Sequence, residues 1–238
     1  VHLFDGATFD ARRSFEDPTP TTGPFGIFMY GIGDRVFVQD AGEPTVYAFD
    51  SGSGALAYRL DEPAPAGASS AFGAVVLGLG PLVLVSGESS AHVFDRTTGA
   101  FVRTLAAPDG VALIGTHAVA LDALALVPDA RGNVHLFDPA TGAVLHTFAR
   151  PALATDDERP LTIVVTDHDL AIGGFGVVRV FDRATRLLRH TLSPPIVRPS
   201  ACFGGTSAGF DAGLVIGDPC APGSGPITVF DANGERLS

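Results

Sequence analysis

Short apolar runs recur along the chain, and each is closed by a turn rich in glycine, proline or aspartate. Six of the runs lead into a Phe-Asp pair: VHL before Phe4-Asp5, TVYA before Phe49-Asp50, SAHV before Phe94-Asp95, NVHL before Phe137-Asp138, VVRV before Phe181-Asp182 and PITV before Phe230-Asp231. In five of the six, the residues three and one before the phenylalanine are aliphatic or alanine, as at Val46 and Ala48 or Val134 and Leu136. The phenylalanine itself falls on the opposite face. Apolar character on both faces marks a strand covered on both sides. No stretch holds a helical period of useful length, so the pattern predicts an all-β chain.

The Phe-Asp pairs stand 45, 45, 43, 44 and 49 residues apart, the period of a four-stranded propeller blade. After the pair comes SGSG at 51–54, RTTG at 96–99, PATG at 139–142 or ANG at 232–234. There the aspartate can accept backbone N–H groups and the glycine can take positive φ, which makes a hairpin. The runs that follow (ALAYRL, AFVRTL, AVLHTF, RLLRHTL) mix apolar and polar positions, as an outermost, half-exposed strand would. Pro18, Pro63, Pro108, Pro151 or Pro194 then ends it, because proline has no N–H for the ladder.

Upstream of the pairs, GIFMY and RVFVQ flank GIGD, AVVLG and LVLVS flank LGP, and TIVVT and LAIGG flank DHD, which completes four strands per repeat. The chain opens on the third strand of a repeat, passes through four full repeats and ends just after another third strand, giving 21 or 22 strands. The expectation is an all-β β-propeller of four-stranded antiparallel blades, six in number with an incomplete first blade. Residues 1–238 would form a single propeller domain or a fragment of a larger protein. With no initiator Met, basic n-region or signal-like apolar segment at its start, the chain reads as a mature form or an excised piece.

In the last repeat, ACFGGTSAG and AGLVIGDPC would form a hairpin around Phe210-Asp211. Pairing Gly209 with Leu214 brings Cys202 within one residue of facing Cys220, so a disulfide between them is expected. A loop of this size contributes about 3 kcal/mol in the chain-entropy model. Such a bridge points to an oxidising compartment.

A proline-rich loop, Phe-Gly, two strands around a turn and then VxxFDxxTGxxxxTL can be read in PTPTTGPFG with VFVQDAG, in SSAFG with LVLVSGE and in SACFG with LVIGDP. This pattern resembles the FG-GAP type of propeller repeat and spans essentially the whole chain. Phe-Gly itself stands at Phe25-Gly26, Phe72-Gly73 and Phe203-Gly204, whereas GVALIGTHAV and DERPLTIVV replace it in two middle repeats. The resemblance implies an extracellular, periplasmic or cell-surface propeller used for adhesion or ligand binding, as in integrin alpha subunits. Calcium loops of the DxDxDG kind are missing from the sequence, which offers only Asp156-Asp157-Glu158 and Asp167-His168-Asp169. No metal or other cofactor is therefore expected. Quinoprotein-type propellers share a similar repeat but dock their blades through tryptophan, and this chain has none.

Composition narrows the partners further. A formal charge of −11 and a pI near 4.9 argue against nucleic acid and anionic membrane surfaces. The apolar runs at 71–79 and 81–85 are far shorter than the roughly 20 residues that cross a bilayer. A hydrophobic content of 46% is ample for a core.

Candidate chemistry is sparse. GTSAG at 205–209 matches the G-x-S-x-G elbow around Ser207, but a strand rather than a helix follows it. His2, His92 and His135 share one slot, two before the phenylalanine, yet equivalent positions in different blades are splayed around a ring and too far apart for one zinc ion. Asp167, His168 and Asp169 occupy a tight turn, and Asp156 to Arg159 an inter-blade loop. Gly173-Gly174 and Gly204-Gly205 lack the Lys-Ser/Thr and helix of a phosphate cradle. The function expected is a non-catalytic scaffold that presents its loop face to a protein or glycan as a monomer. Alternatives are a hydrolase or lyase with a site in the central funnel, or a purely structural repeat segment of a surface protein.

Overall fold

The computed structural model describes residues 1–20, 23–63, 71–150, 162–174, 176–194, 203–210, 213–218 and 227–237. Six antiparallel sheets follow one another along these residues. The first pairs β1 (His2–Phe4) with β2 (Ala11–Ser14). The second runs through β3 (Phe25–Ile32), β4 (Arg35–Asp40), β5 (Thr45–Asp50) and β6 (Leu56–Asp61). The third holds β7 (Val76–Leu79), β8 (Leu82–Ser86), β9 (Ala91–Asp95) and β10 (Phe101–Thr104). In the fourth are β11 (Val119–Leu121), β12 (Leu124–Pro128), β13 (Val134–Phe137) and β14 (Val144–Phe148). The fifth comprises β15 (Thr162–Val165), β16 (Asp169–Gly174), β17 (Val177–Asp182) and β18 (Leu188–Leu192). The sixth comprises β19 (Thr206–Phe210), β20 (Gly213–Gly217) and β21 (Ile227–Asp231).

Each sheet is a meander whose spatial order follows the chain, so every repeat folds as one blade. The apolar pattern accounts for the position of each strand. β5, β9 and β13, apolar on both faces, are buried almost throughout, whereas β6, β10 and β14 are mostly exposed or half-buried, as outer strands are.

The chain divides into two compact units, one made of residues 1–127 and 135–146, the other of residues 128–134 and 147–238. In the first, three apolar clusters stack between successive sheets. Phe15, Val38, Tyr47 and Phe49 form one, Phe37, Val46, Phe72, Val83 and Phe94 belong to the next, and Leu84, Val93, Leu105, Val127 and Phe137 to the third. In the second unit, Ala171, Val178 and Val180 of the fifth sheet pack against Phe203, Leu214, Ile216 and Phe230 of the sixth. Burying each phenylalanine or aliphatic side chain contributes about 1.5–3 kcal/mol.

The Phe-Gly pairs sit at these joints. Phe72 and Phe203 are buried, and Gly26, Gly73 and Gly204 have φ of +87°, +83° and +85°. A Cβ on Gly204 would lie 2.7 Å from Val178 Cγ2, and one on Gly73 would overlap Val46. The phenylalanine fills the joint while the bare glycine lets the chain pass against the preceding blade. In the fourth repeat, where Phe-Gly is absent, buried Leu113 and a 3-10 turn at Gly115–His117 occupy this place, with Gly115 pressed on the Ser90 carbonyl.

Gly209 pairs with Leu214 in the β19–β20 ladder, the register expected from the sequence. Cys202 and Cys220 lie outside the described residues, as do Asp156, Asp157, Glu158 and Arg159.

Candidate functional site

Antiparallel meanders have two distinct ends. The first-to-second and third-to-fourth turns leave from one end of each sheet, and the second-to-third turn and the connection to the next sheet leave from the other.

The first end is uniform. Asp50 accepts Ser53 N–H at 2.6 Å and the Ser53 hydroxyl at 2.8 Å, and Asp95 accepts Thr98 N–H at 2.8 Å and its hydroxyl at 2.9 Å. Asp5, Asp138, Asp182 and Asp231 make the same kind of turn. These hydrogen bonds, that from Ser53 N–H first for Asp50 and that from Thr98 N–H first for Asp95, hold the carboxyls below their ordinary range. The turns are also latched to the preceding outer strand. Arg13 donates to Ser53 O, Tyr58 to Arg96 O and Arg103 to Thr141 O. The latching side chains lie over Gly54, Gly99 and Gly142, where a Cβ would meet Arg13 Cδ at 2.6 Å, Tyr58 Cδ2 at 2.5 Å and Arg103 Nη1 at 3.1 Å. The glycine is thus needed twice, for φ of +73° to +78° and as a seat.

The histidine slot is structural. His92 is 2% exposed and bridges Ser90 Oγ at 2.8 Å and Thr104 Oγ1 at 2.9 Å, its ladder partner on β10. Burial lowers its pKa to about 4. His2 likewise meets Ser14, its partner on β2, at 2.8 Å. Among the described residues no cluster of three His, Cys, Asp or Glu side chains could hold a metal ion.

Ser207 lies inside β19 opposite Ile216, with a buried Oγ that makes no hydrogen bond. Strand β20 follows it, and among the described residues no helix stands behind it. Asp167 and His168 are exposed in the expected turn, where Thr166 Oγ1 accepts Asp169 N–H at 3.0 Å and Arg189 Nη1 donates to Asp169 at 2.7 Å.

The second end varies from sheet to sheet. After β4, Asp40 is 1% exposed, and its Oδ1 accepts Gly42 N–H at 2.8 Å while its Oδ2 is buried without a hydrogen bond. After β12, Asp129 is similarly buried but fully used. Its Oδ1 accepts Arg131 N–H and Asn133 N–H at 2.9 Å, and its Oδ2 accepts Asn133 Nδ2 at 2.8 Å. Asn133 Oδ1 in turn accepts Arg150 N–H at 3.1 Å, and Arg150 Nη1 donates to Arg131 O at 3.4 Å. Arg179 Nη1 reaches Ala149 O at 2.7 Å. Nothing in the one-dimensional pattern pointed to this arginine group, whose members come from a turn, a connection and a strand.

No family model and no curated protein matches the chain. Among solved structures, it is similar to BamB from Moraxella catarrhalis, with 21% identity and a TM-score of 0.63 over 99% of this chain and 68% of that one. The fold is a β-propeller. The computationally designed Ika8 protein is similar at 17% identity and a TM-score of 0.63, over 88% of this chain and 59% of its own. The WD40 beta propeller domain of Doa1 aligns at 14% identity and a TM-score of 0.52, over 80% of this chain and 59% of that one. The β-propeller described here thus spans about three fifths to two thirds of the length of the propellers it matches. Among the described residues no helix is long and apolar enough to cross a membrane.

Proposed function

We propose that this chain is a non-catalytic binding scaffold of FG-GAP-type repeats. It presents the varied end of its blades to a protein or glycan partner at the cell surface or in the periplasm, and a Cys202–Cys220 disulfide braces its last repeat. The observation that carries this reading is that the side chains best suited to chemistry hold the blades together. His92 is tied between two hydroxyls, the turn aspartates bind their own backbone, and Ser207 is enclosed in a ladder. The structural roles of Phe72-Gly73 and Phe203-Gly204 support the likeness to FG-GAP repeats.

The test is to screen the labelled chain against arrays of surface proteins and glycans. Saturable binding should be lost when residues 41–44 and 87–90 are replaced by Gly-Ser, with the thermal melt unchanged. Turnover of a hydrolase or lyase substrate, with no binding partner found, would overturn the reading. The disulfide is tested by alkylating the unfolded chain. Neither thiol should react until a reductant is added, and labelling beforehand would contradict the bridge.

A further inference from the structure

Charge is unevenly divided between the two ends of the first unit, which holds fifteen carboxylates against six arginines. Seven of the carboxylates and five of the arginines stand at the uniform end, where Arg12 pairs with Asp5 and Arg35 with Asp50. The varied end holds the other eight carboxylates against Arg59 alone, and Arg59 Nε is itself paired with Asp61 at 3.0 Å. The formal side-chain charges are therefore −7 at the varied end and −2 at the uniform end.

The excess runs across two neighbouring blades. Glu43 lies in the turn between β4 and β5, which is closed by the ladder partners Asp40 and Thr45. Thr45 also faces Asp61, the last residue of β6, and donates its hydroxyl to Asp61 Oδ1 at 3.0 Å. Glu62 follows, with Oε1 2.9 Å from where a Cβ on Gly87 would stand, so the end of β6 abuts the 87–90 turn and its exposed Glu88. Among the described residues, the carboxylates of Glu43 and Glu88 make no hydrogen bond or ion pair. Beneath the first turn lies Asp40, 1% exposed, its carboxylate turned to the Gly42 N–H and its Oδ2 without a donor. A buried charge is little screened by salt, so it acts on a cation held above it.

We propose that the acidic line from Glu43 to Glu88, underlain by Asp40, is a docking surface of the first unit, and that its ligand is a lysine- and arginine-rich segment of a partner polypeptide. This rests on the scaffold reading above and specifies its partner. Lysine and arginine side chains carry only donors, which is what an unpaired row of carboxylates lacks, and charge complementarity favours a basic chain over a neutral one. A peptide fits better than a sugar, because a neutral sugar leaves the charge unanswered and an acidic one is repelled. A metal ion fits less well, since no three carboxylates among the described residues converge on one point.

The experiment is fluorescence anisotropy of a labelled octalysine peptide titrated with the full chain at about 50 mM and about 200 mM salt. The peptide should bind at the lower salt and weaken at the higher. Glu43→Gln and Glu88→Gln should each weaken binding about two- to fivefold, the scale of one exposed ion pair, and the double variant about tenfold with a flatter salt dependence. Asp40→Asn should weaken binding at least as much as either single variant while leaving the thermal melt unchanged or raised. Asp10→Asn, which removes one exposed charge from the uniform end, should change nothing. Absence of binding, unchanged binding by the varied-end variants, or equal weakening by Asp10→Asn would overturn the proposal and leave the scaffold reading to its own screen. Tighter binding of a glucosamine oligosaccharide than of the peptide would overturn the choice of ligand.

Discussion

The two ends of the blades obey different rules. At the end carrying the Phe-Asp turns, an aspartate gathers the turn's N–H groups and a neighbouring outer strand latches the next carbonyl, with little change from repeat to repeat. At the opposite end, Asp40 and Asp129 begin two Asp-Ala turns and then diverge. Asn133 satisfies the fourth blade's carboxylate, while Thr45, its counterpart in a turn one residue longer, donates to Asp61 and leaves Asp40 Oδ2 without a donor. Repetition marks the end that builds the molecule. Variation marks the end where we propose that a partner docks.

The largest expected effect sharpens this contrast through His92, which faces the varied end. Its pKa is 6.5 in the unfolded chain and about 4 in the fold. Above 6.5 both states are neutral; as pH falls, the unfolded chain takes up the proton first, so stability drains away between 6.5 and about 4. The loss should reach about 3 kcal/mol. Urea melts across this range should show it, and His92→Gln should flatten the slope. The turn aspartates, held below their ordinary value of 3.8, act only in more acidic solution.

Next is Gly99→Ala at the uniform end. With φ of +73° and Tyr58 Cδ2 only 2.5 Å from the new Cβ, it should lower stability by about 2–3 kcal/mol, read from the urea midpoint. A change under half that size would mean the latch is not a fixed feature. Smaller still is the contrast between the two buried aspartates. Asp129→Ala removes the acceptor of three donors and should cost about 2 kcal/mol. Asp40→Asn removes a charge whose second oxygen has no donor, and should be neutral or stabilising by up to about 1 kcal/mol. Equal losses would show that the two turns are alike after all.

Much of the uniform end was legible in the sequence because it depends on local signals. Asp followed by Ser or Thr and then Gly is a turn wherever it stands, and doubly apolar runs must be central strands. The β19–β20 register followed from the same alternation. The latch was harder to see. Positions 13, 58 and 103 keep the repeat spacing, but they hold Arg, Tyr and Arg and act through reach rather than type. The ladder hydroxyls of the histidine slot, Ser14 and Thr104, went unpaired in the pattern because cross-strand partners are set by register, not by sequence distance. The arginine group was invisible for a related reason, since Arg131, Arg150 and Arg179 meet only after two blades have folded.

The most direct test is a hydrogen-exchange footprint of the chain bound to the partner that the array screen identifies. The account predicts protection at residues 41–44 and 87–90, with exchange at the turns 51–54, 96–99 and 139–142 unchanged. Protection at those turns, with the varied end left open, would contradict it.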